Sequence, residues 1–561
     1  MQRIGGTMKS SKTNKNDSIF GIKRSYVVYG MLFLILLNAA HYGFTHYEGP
    51  SLYGDDPNYL YLASSLINGN YHLSPGYIFS LRLMQFGPIA LFYGLFGVNT
   101  LTSSLWDIVS YLGIILVVFY LVKLFYNDKA ALMSAFIASI FPLLTKFGVT
   151  VGEDPALCFV GSLAILLFIY GEKFEQRKYF FASGMLLVAS WLISYEAGVV
   201  IAFLGLYIII RLLTKKLTVN RISIMFIYGI AIAFLITFVF SAWNAGLPFI
   251  TVTRNLGFYS AVGTRIGGLP TIPSTNVNLD FYPNMMFPYS FIQNVMHSNL
   301  SNVFGNILAS IYRMPADSDY GLYFYLVIPI LALLLIFREK RVFFIAFWFL
   351  FMLLFMEFGP MHVGLSLNPL HIIYIPAYRL GRFLMVMSVP LSAIIGIGLT
   401  KLIEVRDKRL LAINAIILFA ILGVLYTQNL TISYFWYYWD IYPQSLAIQP
   451  ANYLRYNGTV DHSAIIYVDA LYKNASLSYT GSEFPSYIGD PSTNLVNSQV
   501  NNQTSCNAFD SGSYAVWSGP PLCSNWVDIF NDSPPKGIPE FFIKNEGPEL
   551  PDKPTNIYYI K

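Results

Sequence analysis

Charge is what this chain has least of. Of its 561 residues only 12% are Asp, Glu, Lys or Arg, against about 25% in soluble globular proteins. That deficit excludes an ordinary water-soluble enzyme. Cysteine is almost absent too, limited to Cys158, Cys506 and Cys523, which excludes a disulfide-built scaffold. No Cys/His spacing of the zinc type occurs. No Gly-rich phosphate loop occurs either. The N-terminus lacks the features of a cleavable leader, because a long polar and basic stretch precedes the first apolar run. That run, Tyr26 to Ala40, is expected to remain as an anchor.

What is present is apolar. Hydrophobic residues make up 55% of the chain and aromatics 17%, so lipid is the expected solvent. Further apolar runs fall at 105–125, 130–147, 156–170, 180–193, 197–213, 222–240, 321–337, 342–355, 383–399 and 410–425. Only helices satisfy their own backbone at such depth in a single chain of this pattern. The expected fold is mainly α: a polytopic helical bundle of about eleven spans, each near the length that crosses a ~30 Å core.

The basic residues orient it. Lys9, Lys12, Lys15, Lys23 and Arg24 precede the first span. Lys123 and Lys129, then Lys173, Arg177 and Lys178, then Arg211, Lys215, Lys216 and Arg221 follow. Arg338, Lys340 and Arg341, and Lys401, Arg406, Lys408 and Arg409 complete the series. With about eleven spans all share one side, which the positive-inside rule makes cytoplasmic. The N-terminus is then inside and the C-terminal region outside. Leu81–Val98 would break this count if it spanned; its Arg82, Gln85, Gly87 and Pro88 favour an interfacial or re-entrant helix on the outer face.

The expected organisation is a cytoplasmic tail over 1–25 and a transmembrane catalytic domain over 26–426, with outer-face juxtamembrane helices. A first outer loop covers 43–104 and a long one 243–320, the latter either a lid or a packed plug. A small extracytoplasmic α/β domain follows over 427–561, within which 490–538 reads as mostly loop. Sequons at Asn299, Asn429, Asn457, Asn474, Asn502 and Asn531 suit a face exposed to glycosylation. Cys506 and Cys523 suit a disulfide there.

The acids gather on the opposite, outer face: Asp55, Asp56, Glu153, Asp154, Glu196 and Glu357. Arg82, Arg254, Arg265, Arg313, Arg379 and Arg382 share it. In "GDDPNYLYLA" Asp55 and Asp56 stand at a helix start, where negative charge is favoured. They read equally as a cap and as a general base, since neighbouring carboxylates resist ionising together and one becomes a better proton acceptor. "GEDPA" repeats the acid–acid–Pro pattern with Glu153 and Asp154, which would meet an acceptor's hydroxyl or amine or hold a divalent cation. "SYEAG" places Tyr195 and Glu196 in a short outer turn. "PAYRLGRF" puts Arg379 and Arg382 outside, where they read either as snorkelling residues or as partners of a lipid phosphate. His371 lies in the same loop and reads first as structural.

Together these features resemble the GT-C superfamily of lipid-phosphate-sugar glycosyltransferases, in particular its protein O-mannosyltransferase and aminoarabinose-transferase branch. Asp55, Asp56, Tyr59 and Ala63 resemble that branch's first-loop acid pair, Tyr and Ala, with Asp56 in place of Glu. "LINGNY", "FGPIALFYGLFGVNT", Asp154 and "GRFLMVMSVPLSAIIGIGL" resemble its later segments in order. The branch's Arg-Pro-Pro is absent, which leaves Arg82 without a clear counterpart. The resemblance implies a polyprenyl- or dolichyl-phosphate sugar as donor, and a protein, lipid or glycan acceptor. Asp55 would take the acceptor's proton, with inversion at the anomeric carbon, and Arg382, with Arg379 and Arg82, would face the leaving phosphate. No cofactor is required, while a divalent cation has room in the acids. Sequon density and the absence of an ER-retention signal point to the plasma membrane, or to the ER membrane in a eukaryote. Two other readings stand beside it. One is an oligosaccharyltransferase-type subunit, of whose Trp-Trp-Asp-Tyr-Gly motif "YWDIYP" is a faint echo. The other is a transporter or scaffold, against which the lack of an internal repeat counts.

Overall fold

A computed structural model of the chain describes residues 18–19, 22–46, 56–73, 78–215, 217, 223–250, 322–336, 339, 342–358, 360–367, 370–376, 385–404, 408–436, 466–468, 495–496, 511–518, 522–532 and 555–561. A short hairpin, β1 (Ser18–Ile19) and β2 (Ile22–Lys23), leads into α1 (Arg24–Thr45). Then come α2 (Asp56–Ile67), a 3-10 turn at Ile78–Leu81, α3 (Leu83–Phe96) and α4 (Thr100–Phe125). The next group is α5 (Asp128–Ser139), α6 (Pro142–Phe147), α7 (Glu153–Phe174), α8 (Arg177–Trp191), α9 (Ala197–Leu213) and α10 (Ile224–Ala245). Further along the chain stand α11 (Leu322–Ile336) and α12 (Phe343–Phe358). The antiparallel hairpin β3 (Pro360–Leu367) and β4 (Leu370–Pro376) precedes α13 (Ser388–Ile403) and α14 (Lys408–Trp436).

Six of these segments are long and apolar enough to cross a bilayer: Arg24–Thr45, Leu101–Phe125, Glu153–Phe174, Ile224–Ala245, Met385–Ile403 and Arg409–Leu430. The protein is a multi-pass membrane protein with a mostly helical body. The spans divide by environment. About 78% of the apolar stretch of α7 and of α13 is buried within the bundle, against 11% for α14. Thus α4, α7 and α13 form the interior, and α1, α10 and α14 present Phe33, Leu34, Ile236 and Phe419 outward. Lipid is as apolar as leucine, so the bundle is held by close packing and polar pairing rather than by escape from water. Two glycines show this. Gly184 of α8 sits so close to α10 that a Cβ there would lie 2.1 Å from the Phe226 carbonyl oxygen. Gly229 of α10 faces the Phe181 carbonyl oxygen at the same 2.1 Å.

The basic residues collect at one end of the bundle. Lys123 pairs with Asp128 at 3.1 Å, and Lys173 donates to the Leu124 carbonyl at 2.6 Å. Lys401 reaches Glu339 at 3.4 Å and lies over the Tyr126 ring. Arg211 pairs with Glu172, which also accepts from the Tyr207 hydroxyl at 2.7 Å.

Several sequence expectations change here. The run 130–147 is two helices rather than one: α5 ends at Ser139 and α6 restarts at Pro142, whose missing N–H and ring forbid continuation. The segment 81–98 keeps the expected reading as something other than a full span: it holds α3, of 14 residues, too short to cross a ~30 Å core unaided. The last helix runs on through Trp436, beyond the boundary expected at 427. It carries Asn429, which is buried and accepts a hydrogen bond from Thr145 Oγ1 at 2.7 Å, so that sequon is closed to a glycan.

The stretch 490–538, expected as mostly loop, carries strands among its described residues. Three of its segments join a five-stranded mixed sheet of order β6-β5-β7-β9-β8: β5 (Ile466–Val468), β6 (Leu495–Val496), β7 (Tyr514–Ser518), β8 (Trp526–Asp532) and β9 (Thr555–Ile560). Aromatic and β-branched residues in "YAVWS" and "WVDIF" supply the strand pattern; the Asn-, Ser- and Gly-rich surroundings mask it. Cys523 is disulfide-bonded and buried beside Trp526 and Tyr558, while Cys158 is a free buried thiol. The partner expected for it, Cys506, lies outside the described residues, as does most of the long loop expected over 243–320.

Candidate active site

The end of the bundle opposite the basic cluster is assembled by short hydrogen-bonded junctions. Asn99 caps α4 in a reciprocal box with Thr102, both bonds at 2.9 Å, fixing where that helix begins. Gln85 of α3 donates to the Gly152 carbonyl at 2.9 Å, just ahead of α7. The Met84 N–H donates to Leu192 at 3.2 Å, tying α3 to the turn after α8. Cys158 of α7 donates to the Met385 carbonyl at 3.2 Å, which anchors the segment leading into α13. These junctions bring the first turns of α2, α4, α7 and α9 to one place.

Glu153 and Asp154 form the first turn of α7, where the helix dipole favours negative charge. Both are buried. Glu153 pairs with Arg82, which lies just before α3 and is itself buried. The same guanidinium nitrogen donates to the Tyr59 hydroxyl, from α2. Aromatic faces enclose the cation: its Cζ lies 5.9 Å from the Tyr59 ring centre and 5.3 Å from those of Phe79 and Tyr195. The second Glu153 oxygen accepts from Ser194 Oγ at 3.4 Å, and Ser194 in turn accepts from the Glu196 N–H at 3.4 Å. Six positions distant in sequence, Tyr59, Phe79, Arg82, Glu153, Ser194 and Tyr195, thus form one connected network.

Beside it stands a residue that sequence reading missed. Asp107, about two turns into α4, is completely buried. It lies within electrostatic reach of Asp56 at the start of α2 and Asp154 at the start of α7. In "SLWDIVS" it is the lone charge of an apolar run. That alone marks an intramembrane ionisable residue as a functional candidate.

Of the sequence candidates, the structure brings together Asp56, Tyr59, Arg82, Glu153, Asp154, Tyr195 and Glu196. Arg82 is engaged by Glu153 and the Tyr59 hydroxyl. Asp55, Arg379 and Arg382 lie outside the described residues, and so does the side chain of His371, whose backbone belongs to β4. Among the described residues, no three His, Cys, Asp or Glu side chains are arranged to hold a metal ion.

No curated protein sequence matches the chain significantly. Solved structures do. The archaeal oligosaccharyltransferase AglB from Archaeoglobus fulgidus, in complex with an inhibitory peptide and a dolichol-phosphate, aligns with a TM-score of 0.50 and 11% identity. That alignment covers 84% of this chain and 65% of that one. ArnT from Cupriavidus metallidurans, bound to undecaprenyl phosphate, aligns with a TM-score of 0.46 and 12% identity over 87% of this chain and 93% of that one. The chain therefore spans just under two thirds of the archaeal oligosaccharyltransferase. Residues 84–243, which carry Asp107, Glu153, Asp154 and Glu196, match the family model of dolichyl-phosphate-mannose-protein mannosyltransferase domains.

Proposed function

We propose that the protein is a membrane glycosyltransferase that moves a sugar from a polyprenyl- or dolichyl-phosphate donor to an acceptor hydroxyl or amine. The acidic end of the bundle is the reaction centre, and it faces the extracytoplasmic side. The observation that carries this reading is the convergence of Tyr59 of α2, Arg82 ahead of α3 and Glu153 in the acidic first turn of α7, within and beside the family-matched segment.

The chemistry is a single displacement. An acceptor oxygen attacks the anomeric carbon while its proton passes to a carboxylate of the Asp55–Asp56 pair. The anomeric carbon–phosphate oxygen bond breaks on the opposite side, so the configuration inverts. Lipid phosphate departs with the electron pair, already a stable anion, and needs cations rather than an acid; Arg382 and Arg379 are assigned that task. The buried acids work where water screens them least.

Purified full-length protein in nanodiscs, given dolichyl-phosphate mannose and a hydroxyl-bearing peptide as probes, tests the base. Asp55→Asn and Asp56→Asn should elute as the parent does. At least one should lose on the order of 10²-fold or more of transfer. Transfer unchanged in both would remove the acid pair from the mechanism. A transporter or scaffold would release no lipid phosphate at all.

A further inference from the structure

We propose that Glu153 is the built-in competitor of a phosphate site at Arg82. The guanidinium keeps an open edge for the phosphate of a lipid donor or product, and the Glu153 carboxylate, already seated on the same cation, sets how tightly that phosphate is held. This deepens the glycosyl-transfer reading and rests on it.

Arg82 uses one nitrogen for its protein contacts. Nη1 donates both to Glu153 Oε2 and to the Tyr59 hydroxyl. Among the described residues, Nη2 and Nε donate to no side chain or carbonyl. A guanidinium carries five N–H donors in a planar fork, and its Nη2–Nε edge is one that grips a phosphate two-pronged. The cation also holds its place without the carboxylate. The rings of Tyr59, Phe79 and Tyr195 stand around it. Tyr59 and Phe79 brace one another edge to face, with centres 5.5 Å apart. Such ring contacts attract a cation whatever its counter-ion.

Glu153 has anchors of its own. Its Oε1 accepts from Ser194 Oγ at 3.4 Å. It stands in the first turn of α7, where the helix dipole favours an anion. An arriving phosphate therefore meets a carboxylate already in place, and two anions share one cation. Their mutual repulsion weakens the hold. That suits a site whose lipid phosphate must leave once the sugar has gone.

The test measures binding of dolichyl phosphate to full-length protein in nanodiscs, with dolichol, which lacks the phosphate, in a parallel arm. Glu153→Gln keeps the shape of the side chain and removes its charge. It should bind dolichyl phosphate on the order of tenfold more tightly than the parent, and dolichol no differently. Adding Arg82→Gln should abolish the gain. A purely structural ion pair predicts the reverse, a loosened site with unchanged or weaker binding, and that result would overturn the proposal. So would an equal gain for dolichol, or no binding of dolichyl phosphate by either protein. Tighter phosphate binding without any sugar transfer would support the proposal and count against the proposed function alone. Should Glu153→Gln fail to fold, Arg82→Met combined with Glu153→Leu strands no charge and keeps the question open to measurement. That protein should bind dolichyl phosphate several-fold more weakly than the parent, and binding at the parent's level would refute a phosphate site at Arg82.

Discussion

Arg82 and Glu153 are 71 positions apart and form a buried ion pair that no local rule of sequence brings together. The pair joins the segment before α3 to the first turn of α7, with the Tyr59 hydroxyl as a third member. Taking one partner away strands the other in a site closed to water. Arg82→Ala should therefore cost about 3–5 kcal/mol. Glu153→Gln, which keeps a hydrogen-bond acceptor, should cost less. Joint replacement by Met and Leu should recover much of the loss. Thermal unfolding of the four proteins in one detergent checks this; a loss in the double variant equal to the sum of the two single losses would mean the pair carries no coupling.

The crossing of α8 and α10 predicts a contrast between glycines. Gly184→Ala and Gly229→Ala each drive a Cβ into a backbone carbonyl 2.1 Å away. The helices must separate, at a cost of about 1–3 kcal/mol or more. Gly30 of α1 and Gly205 of α9 have nothing within 4 Å of the added carbon. Alanine there should be neutral, or stabilising by about 0.4–1 kcal/mol. Melting temperatures of the four variants would decide it, and a loss at Gly205 equal to that at Gly184 would contradict the close-contact account.

Tyr71 predicts a pH dependence. Its hydroxyl donates to the Ser80 carbonyl at 2.7 Å, and its ring packs against Phe86 and Phe240. Burial pushes the phenol well above its ordinary value. A raised value in the folded state means the stabilisation is intact below the unfolded value of about 10 and declines as pH rises beyond it. Stability measured from neutral to strongly alkaline pH should fall in the parent protein above about pH 10. Tyr71→Phe should begin about 1 kcal/mol lower and show a shallower fall. Parallel curves would mean Tyr71 plays no part.

Most of the helical body was legible because lipid imposes one rule on every span. Apolar length and scarcity of charge reveal α1, α4, α7, α10, α13 and α14 without any knowledge of neighbours. The break at Pro142 was legible in principle, but composition averaged over the run concealed it. The tail was harder, since strands in a sheet answer to partners far along the chain: β5 pairs with both β6 and β7.

The site divides in the same way. Asp56, Glu153 and Asp154 announce themselves as acids at helix starts. Asp107 hides inside a span and gains meaning only when α4 is set beside α2 and α7. The role read for Arg82 came from the family resemblance and from its place on the outer face. Its actual partners, Glu153 and the rings of Tyr59, Phe79 and Tyr195, come from other elements.

In the five-stranded sheet, β9 lies between β7 and β8, both of which precede it in the chain. Order of synthesis therefore runs against order in space. As the ribosome delivers β7 and then β8, β7 can pair only with β5 and β8 with none of the sheet's earlier strands, so two edges wait for Thr555–Ile560 to emerge. The sheet can be completed only late in translation, after the membrane helices have already been made. Until then its open edges are the part of the newborn protein most in need of a chaperone.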